Sequence, residues 1–146
     1  MTTIKEIDLK SIYSIRHLVL RKGKPIESCH FIGDEKETTK HFGLLLDENL
    51  VGVVSLFEQK NNIFYEKNQY QIRGMAILEE FQHKGYGKLL IEKAETCCRA
   101  LRTDLIWFNA RENAKVFYQK MDYIISGKPF DIENIGIHYI MFKKFT

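Results

Sequence analysis

The sequence predicts a mixed α+β fold, a sheet covered by helices, and three observations carry that prediction. Apolar runs of strand length recur between turn residues, segments of helical periodicity lie among them, and no repeat, low-complexity tract or Pro/Gly/Ser linker interrupts the chain. Strands interleaved with helices in this way build a sheet with helices on its faces. A length of 146 residues is that of one domain, so a single domain over residues 1–146 is expected.

The elements read in order as β-α-β-β-β-α-β-α-β-β. Residues 3–7 form a short strand candidate. Asp8 is placed to cap a helix in which Ile12, Ile15, Leu18 and Val19 recur at helical spacing, ending near Gly23. Residues 24–40 hold Pro25, Gly33 and a charged run from Asp34 to Glu37, and read as a loop whose charges are solvated. Residues 42–46 and 50–57 are apolar strands joined by an Asp47-Glu48-Asn49 hairpin turn. A polar connection, residues 59–67, leads to a strand over 70–78. From Tyr86 the chain turns helical, with Leu90, Ala94, Cys97 and Leu101 as one buried stripe. Residues 105–108 form a strand. Asn109 and Glu112 have capping-box spacing for a helix whose apolar face is Ala114, Phe117, Tyr118 and Met121. Residues 123–126 and 135–142 are the last two strands, with 127–134 a loop.

Composition narrows the function. Hydrophobic residues are 45% and charged residues 28% of the chain, a globular balance without the signature of disorder. The net charge of +3 comes from 22 scattered Lys and Arg against 19 acids. A nucleic-acid binder concentrates its basic residues on one face, so no nucleic-acid partner is expected. Cys29, Cys97 and Cys98 are odd in number and lack metal-ligand spacing, which points to reduced thiols, no metal and a cytoplasmic protein. No apolar run approaches the roughly 18 residues of a membrane span, and residues 1–10 have no apolar signal core. No membrane partner is expected.

The chemistry concentrates in Gln82-His83-Lys84-Gly85-Tyr86-Gly87-Lys88, where a strand passes through a glycine turn into a helix. The first N–H groups of a helix have no intrahelical partner, and the helix dipole favours an anion there. Gly85 and Gly87 admit a ligand to the backbone, and Lys84 and Lys88 add positive charge. A pyrophosphate suits such a turn. Taken alone, Gly-x-Gly also fits a helix start that merely needs pliable backbone. A dinucleotide fingerprint requires a third glycine where Leu90 stands. A P-loop requires Ser or Thr where Leu89 stands.

The stretch Met75-Ala76-Ile77-Leu78-Glu79-Glu80-Phe81-Gln82-His83-Lys84-Gly85-Tyr86-Gly87-Lys88-Leu89-Leu90 resembles the signature of the GNAT family of N-acetyltransferases: a strand, a Gln/Arg-x-x-Gly-x-Gly/Ala turn and a helix. The element order agrees with that family's fold along nearly the whole chain. The resemblance implies a central mixed, mostly antiparallel and splayed sheet of about seven strands, flanked by about four helices. It implies acetyl-coenzyme A as acyl donor, with the pyrophosphate on the backbone of residues 82–88. The pantetheine arm would pair with the strand at Met75, Ala76 and Ile77. The acceptor would be a primary amine of a small molecule or peptide, attacked directly, with no metal. A homodimer through the last strands is compatible with this fold. The alternative is a non-catalytic acyl-coenzyme A-binding module of the same fold.

Acyl transfer to an amine needs a base, donors for the developing oxyanion and a proton for the leaving thiolate. Tyr118 stands where this family's general-acid tyrosine lies, and a phenol of pKa about 10 can serve a thiolate whose thiol titrates near 8.5. A packed helix-face tyrosine is the plain structural alternative. His138 on the last strand and Glu79 at the end of the fourth are the base candidates, with Glu80 beside it; a structural histidine, surface loop carboxylates and loss of the proton directly to water are the alternatives. Arg111 and Asn113 are further cofactor-side candidates. Two residues depart from the family pattern. Arg111 replaces an asparagine seven residues before the tyrosine, and Asp122-Tyr123 replaces Gly-Phe, which requires Asp122 to adopt the helix-ending left-handed conformation. Arg16, His41 and Trp107 read as structural.

Overall fold

The computed structural model describes residues 1–145. These fall into two compact units, residues 1–58 with 72–97, and residues 59–71 with Cys98 onward. Among the described residues there are seven strands, β1 (Thr2–Glu6), β2 (Lys40–Leu46), β3 (Asn49–Glu58), β4 (Gln69–Ile77), β5 (Leu105–Arg111), β6 (Ile124–Ile132) and β7 (Gly136–Lys144). The helices are α1 (Leu9–Val19), α2 (Tyr86–Ala100) and α3 (Lys115–Gln119), with single 3₁₀ turns at Ile26–Cys29, Glu79–Phe81 and Glu112–Ala114. There are three α-helices where about four were expected, because residues 26–29 close only a 3₁₀ turn.

The strand order is β1-β2-β3-β4-β5-β7-β6. The β1–β2, β2–β3, β5–β7 and β6–β7 pairs are antiparallel, and β4–β5 is parallel. The fold is therefore the mixed, mostly antiparallel α+β sheet expected. The parallel register of β4 covers only Gln69↔Leu105, Tyr70↔Ile106 and Gln71↔Trp107, while the strand itself runs on to Ile77.

In the first unit, Asp8 caps α1: the Ser11 N–H donates to its Oδ1 at 2.8 Å. This bond holds the Asp8 carboxyl below its ordinary pKa. The helix buries Ile12 and Ile15 against Val53 and Ala76. It stops at Val19, four residues short of the expected Gly23, and Leu18 is exposed. The third position on its buried face is Arg16, wholly inaccessible to solvent. Asp47 and Glu48 both take positive φ, 47° and 74°, the type I′ turn that suits a two-residue hairpin.

On α2 the buried apolar residues are Leu90, Ile91, Ala94 and Cys98, with Glu95 buried beside them, so the stripe is rotated from the one expected. Cys97 is half-buried and Leu101 exposed beyond the helix end. The i, i+4, i+8 row of 90, 94 and 98 fits 3.6 residues per turn and carries the packing.

In the second unit, Phe64, Leu105 and Trp107 form one core cluster, joined by Ile140 and Phe142. The Trp107 Nε1–H donates to the Gln59 carbonyl at 2.9 Å, and the Gln69 side chain bonds Asn61 and Glu66. The expected capping box at Asn109 is absent. β5 continues to Arg111 because β7 pairs with it throughout, including Asn109↔Ile140, and α3 begins at Lys115 without a side-chain cap. β6 likewise runs to Ile132 through the expected loop, with a register irregularity between Ser126 and Phe130 around Gly127-Lys128-Pro129. Asp122 has φ 72°, and the Tyr123 N–H closes on the Tyr118 carbonyl at 3.1 Å. That is the helix-ending conformation its sequence position demands.

Candidate active site

The glycine turn lies wholly in the first unit. β4 ends at Ile77, whose carbonyl accepts from the Gln82 Nε2–H at 2.9 Å. Gln82 therefore fastens the turn to the strand end. Between them the 3₁₀ turn at Glu79–Phe81 leaves Glu79 and Glu80 exposed. His83 has φ 62° and Gly85 has φ 87°. Left-handed residues in a turn are a backbone pattern from which anion-binding nests of N–H groups are built. A Cβ added at Gly85 would meet nothing within 4 Å, so the turn's outer face is open. The Leu89 N–H bonds back to the Gly85 carbonyl at 3.4 Å as α2 begins. His83, Lys84 and Lys88 are exposed, and the Lys84 Nζ rests 5.9 Å from the Phe81 ring. On β4, Ala76 is buried against α1, and Met75 and Ile77 are half-buried.

The other candidates lie in the second unit. Tyr118 is buried on α3, with ring centroids 4.3 Å from Phe108, 5.0 Å from Phe117 and 6.2 Å from Tyr123. Burial pushes its phenol well above the ordinary value near 10. The phenol is thus held in its protonated, donating form. His138 is buried on β7, opposite Arg111 on one side and Phe130 on the other. Its Nδ1 lies 2.8 Å from the Gly136 carbonyl. A carbonyl only accepts, so Nδ1 donates a proton to it and Nε2 is the nitrogen left free of that bond. Arg111 and Asn113 are exposed. Glu112 between them bonds Lys115 at 3.1 Å, which holds its carboxyl low.

A cluster in the first unit was not anticipated. Asp34 belongs to a charge run that reads as solvated, yet it is 2% exposed. Its carboxylate takes two bonds from Arg16, Nη1 at 2.7 Å and Nη2 at 3.0 Å, and one from the Phe31 N–H at 2.7 Å. Arg16 also donates to the Cys29 carbonyl and to Ser55 Oγ. Ser55 Oγ lies 2.6 Å from His41 Nδ1, and His41 Nε2 lies 2.9 Å from the Asp34 carbonyl. The directions follow from the partners: Nε2–H donates to the carbonyl, so Nδ1 accepts from the Ser55 hydroxyl. Burial, the largest effect, lowers the His41 pKa, as this neutral tautomer requires. Burial raises the Asp34 carboxyl, but the Arg16 and Phe31 bonds outweigh it and hold it below its ordinary value. The sequence did carry one signal. Arg16 sits on the same helical face as Ile12 and Ile15, and a charge on a buried stripe requires a partner.

Among the described residues no group of three or more His, Cys, Asp or Glu is placed to hold a metal ion. No helix there is long and apolar enough to cross a membrane.

The chain matches the acetyltransferase (GNAT) family over residues 8–123. It belongs to that family. It is 35% identical over 143 residues to YitI, an uncharacterized N-acetyltransferase of Bacillus subtilis (strain 168), covering 98% of this chain and 96% of YitI. In fold it is similar to Ard1 from Thermoplasma volcanium, with a TM-score of 0.78 at 18% identity, covering 99% of this chain and 98% of that one. It is also similar to the PaiA N-acetyltransferase of Thermoplasma acidophilum, solved in complex with coenzyme A, with a TM-score of 0.72 at 19% identity and 99% of each chain covered. This GNAT protein is accordingly an acyltransferase.

Proposed function

We propose that this GNAT protein transfers an acetyl group from acetyl-coenzyme A to a primary amine of a small molecule or peptide, with both units acting as one acyltransferase domain. The observation that carries this reading is the turn. His83 and Gly85 take left-handed conformations before a 15-residue helix, and the turn's open face accepts a pyrophosphate. In this reading, residues 82–88 bind the pyrophosphate, and Met75, Ala76 and Ile77 offer backbone to the pantetheine. Arg111 and Asn113 are the additional cofactor contacts.

Bound acetyl-coenzyme A supplies an activated thioester carbonyl, which the acceptor amine attacks directly, so a C–N bond forms as the C–S bond breaks. Tyr118 keeps its proton until the sulfur departs, because a phenol with a raised pKa donates a hydrogen bond without ionising beforehand. His138 Nε2 or the Glu79 carboxylate takes the proton that the amine loses. The three cysteines take no part; Cys29 and Cys98 are buried, and burial pushes the Cys97 thiol up, away from its nucleophilic form. The reading includes a cytoplasmic location, favoured by these free thiols, and a homodimer through the last strands, favoured by exposed Ile124 and Ile137.

A second reading, a non-catalytic acyl-coenzyme A-binding module, draws on the tight aromatic packing of Tyr118. Calorimetry with acetyl-coenzyme A and a thiol-release screen over amines separate the two. Donor binding with turnover supports the enzyme, donor binding without turnover supports the module, and no donor binding refutes both. Tyr118→Phe is expected to lower kcat by about 10²–10⁴-fold with donor affinity kept. An unchanged chemistry-limited rate removes the general-acid role.

A further inference from the structure

Three arginines of the first unit converge on one aromatic ring. The guanidinium carbons of Arg16, Arg73 and Arg21 lie 3.9, 4.6 and 5.6 Å from the centroid of Phe31. Arg73 also lies 5.4 Å from Phe57. The acid among them, Asp34, is committed: its carboxylate accepts from Arg16 twice, from the Phe31 N–H and, at 3.4 Å, from the Tyr13 hydroxyl. His41 is held neutral by burial and adds no negative charge. Arg73 itself is half-buried, and no hydrogen bond or ion pair to its guanidinium occurs among the described residues. A guanidinium set over two rings, partly desolvated and next to a second arginine, is suited to an anionic partner.

The backbone brings Arg73 there. Gly74 has φ 65° in mid-strand, a left-handed conformation that departs from extended strand backbone beside Arg73. A Cβ at Gly74 would lie 3.0 Å from Phe31 and 3.1 Å from Arg16 Nε at a φ that strains any other side chain, so a substitution there is both crowded and strained. Position along β4 also matters. The pyrophosphate turn follows the strand's C-terminal end, and Arg73 stands four residues before Ile77, roughly 13 Å back along the strand. A donor laid along β4 from that turn carries its phosphates away from Arg73 and its acyl end toward it.

We infer that Arg73 binds a carboxylate on the acceptor, so that the amine this enzyme acetylates is an amino acid or another carboxylate-bearing amine. This rests on the acetyltransferase reading and names the substrate class for it. Arg73 fixes the carboxylate through its planar pair of N–H donors, with Phe31 and Phe57 holding the guanidinium in plane. Polyamines, which bring only positive charge toward Arg16, Arg21 and Arg73, are poor acceptors.

The test pairs acceptors that differ in the carboxylate alone: L-amino acids against their carboxamides, and 4-aminobutyrate and 5-aminovalerate against butylamine and pentylamine. Thiol release from acetyl-coenzyme A is measured for each. At least one acid should exceed its neutral partner in kcat/KM by tenfold or more. Arg73→Met should collapse that preference about tenfold to hundredfold, mainly through KM, with Arg73→Lys in between. Circular dichroism melting of each variant reads folding separately. Neutral partners used as well as the acids, turnover confined to polyamines, no acid acetylated, or a preference that survives in a folded Arg73→Met each overturn the inference. Calorimetry of the wild type with acetyl-coenzyme A keeps the two readings apart: no donor binding refutes the acetyltransferase itself, whereas donor binding without a carboxylate preference refutes Arg73 alone.

Discussion

Replacing Asp34 by asparagine removes one charge from a pair that has no water to fall back on. The side chains of Arg16 and Asp34 are both fully inaccessible, 2.7 Å apart at their closest atoms. The variant keeps the shape of the side chain and leaves the Arg16 guanidinium buried without a counter-charge. Two routes give the cost. Breaking a buried pair from one side costs about 3–5 kcal/mol, and Coulomb attraction at 4 Å with an effective dielectric of 20 is about 4 kcal/mol. For a 146-residue chain, a loss of about 4 kcal/mol lowers Tm by about 8–16 °C. Urea and thermal unfolding followed by circular dichroism measure both quantities. A double-mutant cycle with Arg16→Met and Asp34→Leu isolates the pair. The double variant should be less destabilised than the sum of the single ones by well over 1 kcal/mol. A loss below about 1 kcal/mol in Asp34→Asn, or additivity in the cycle, means that Arg16 reaches water and that the buried pair does not hold this loop.

Two more perturbations follow from the same geometry and from the turn. His41 is neutral in the fold with its pKa lowered from 6.5, so the unfolded chain takes up its proton first as the pH falls. Stability from this residue is present above pH 6.5 and is lost as the pH drops through the folded pKa. Unfolding free energies between pH 5 and 7.5 should rise with pH in wild type and rise less in His41→Gln; a wild-type stability that falls with rising pH contradicts the neutral tautomer. Gly85→Val has room for its side chain but must adopt φ 87°, at a cost of about 1–2 kcal/mol, and its branched side chain projects from the turn's open face. Calorimetry should find weaker acetyl-coenzyme A binding, and an unchanged affinity would separate Gly85 from the pyrophosphate site.

The strand, turn and helix around Gly85 were readable because each left a local mark: an apolar run, two glycines and a helical period. Asp8 and the hairpin at Asp47 were readable for the same reason, since a cap and a two-residue turn are decided within a few residues. Asn109 was misleading. Its capping spacing is also local, but β7 pairs with β5 as far as Arg111, and a full ladder of backbone bonds outweighs one cap. Asp34 was illegible for the opposite reason. Within Asp34-Glu35-Lys36-Glu37 nothing marks one acid as buried; its partner Arg16 is 18 residues earlier and becomes its neighbour only when α1 packs on the sheet.

In the proposed function, donor binding and acceptor choice draw on different places along β4 and should be separable by mutation. At its C-terminal end, the Ile77 carbonyl is tied to Gln82, so strain in the strand end passes to the turn. At its middle, Gly74 breaks the alternation and brings Arg73 against Phe31 and Phe57, beside a cluster already balanced by Asp34. The two features share one strand but no side chain. In the proposed function, a substitution at Gly85 therefore acts on the donor's affinity and one at Arg73 on the choice of amine. Tyr118 is packed among Phe108, Phe117 and Tyr123, and in the same proposal its substitution acts on turnover. An Arg73 variant that lost donor affinity along with acid preference would show that the strand around Gly74 couples the two ends. The strand would then act as one element, and the carboxylate reading would lose its independent support.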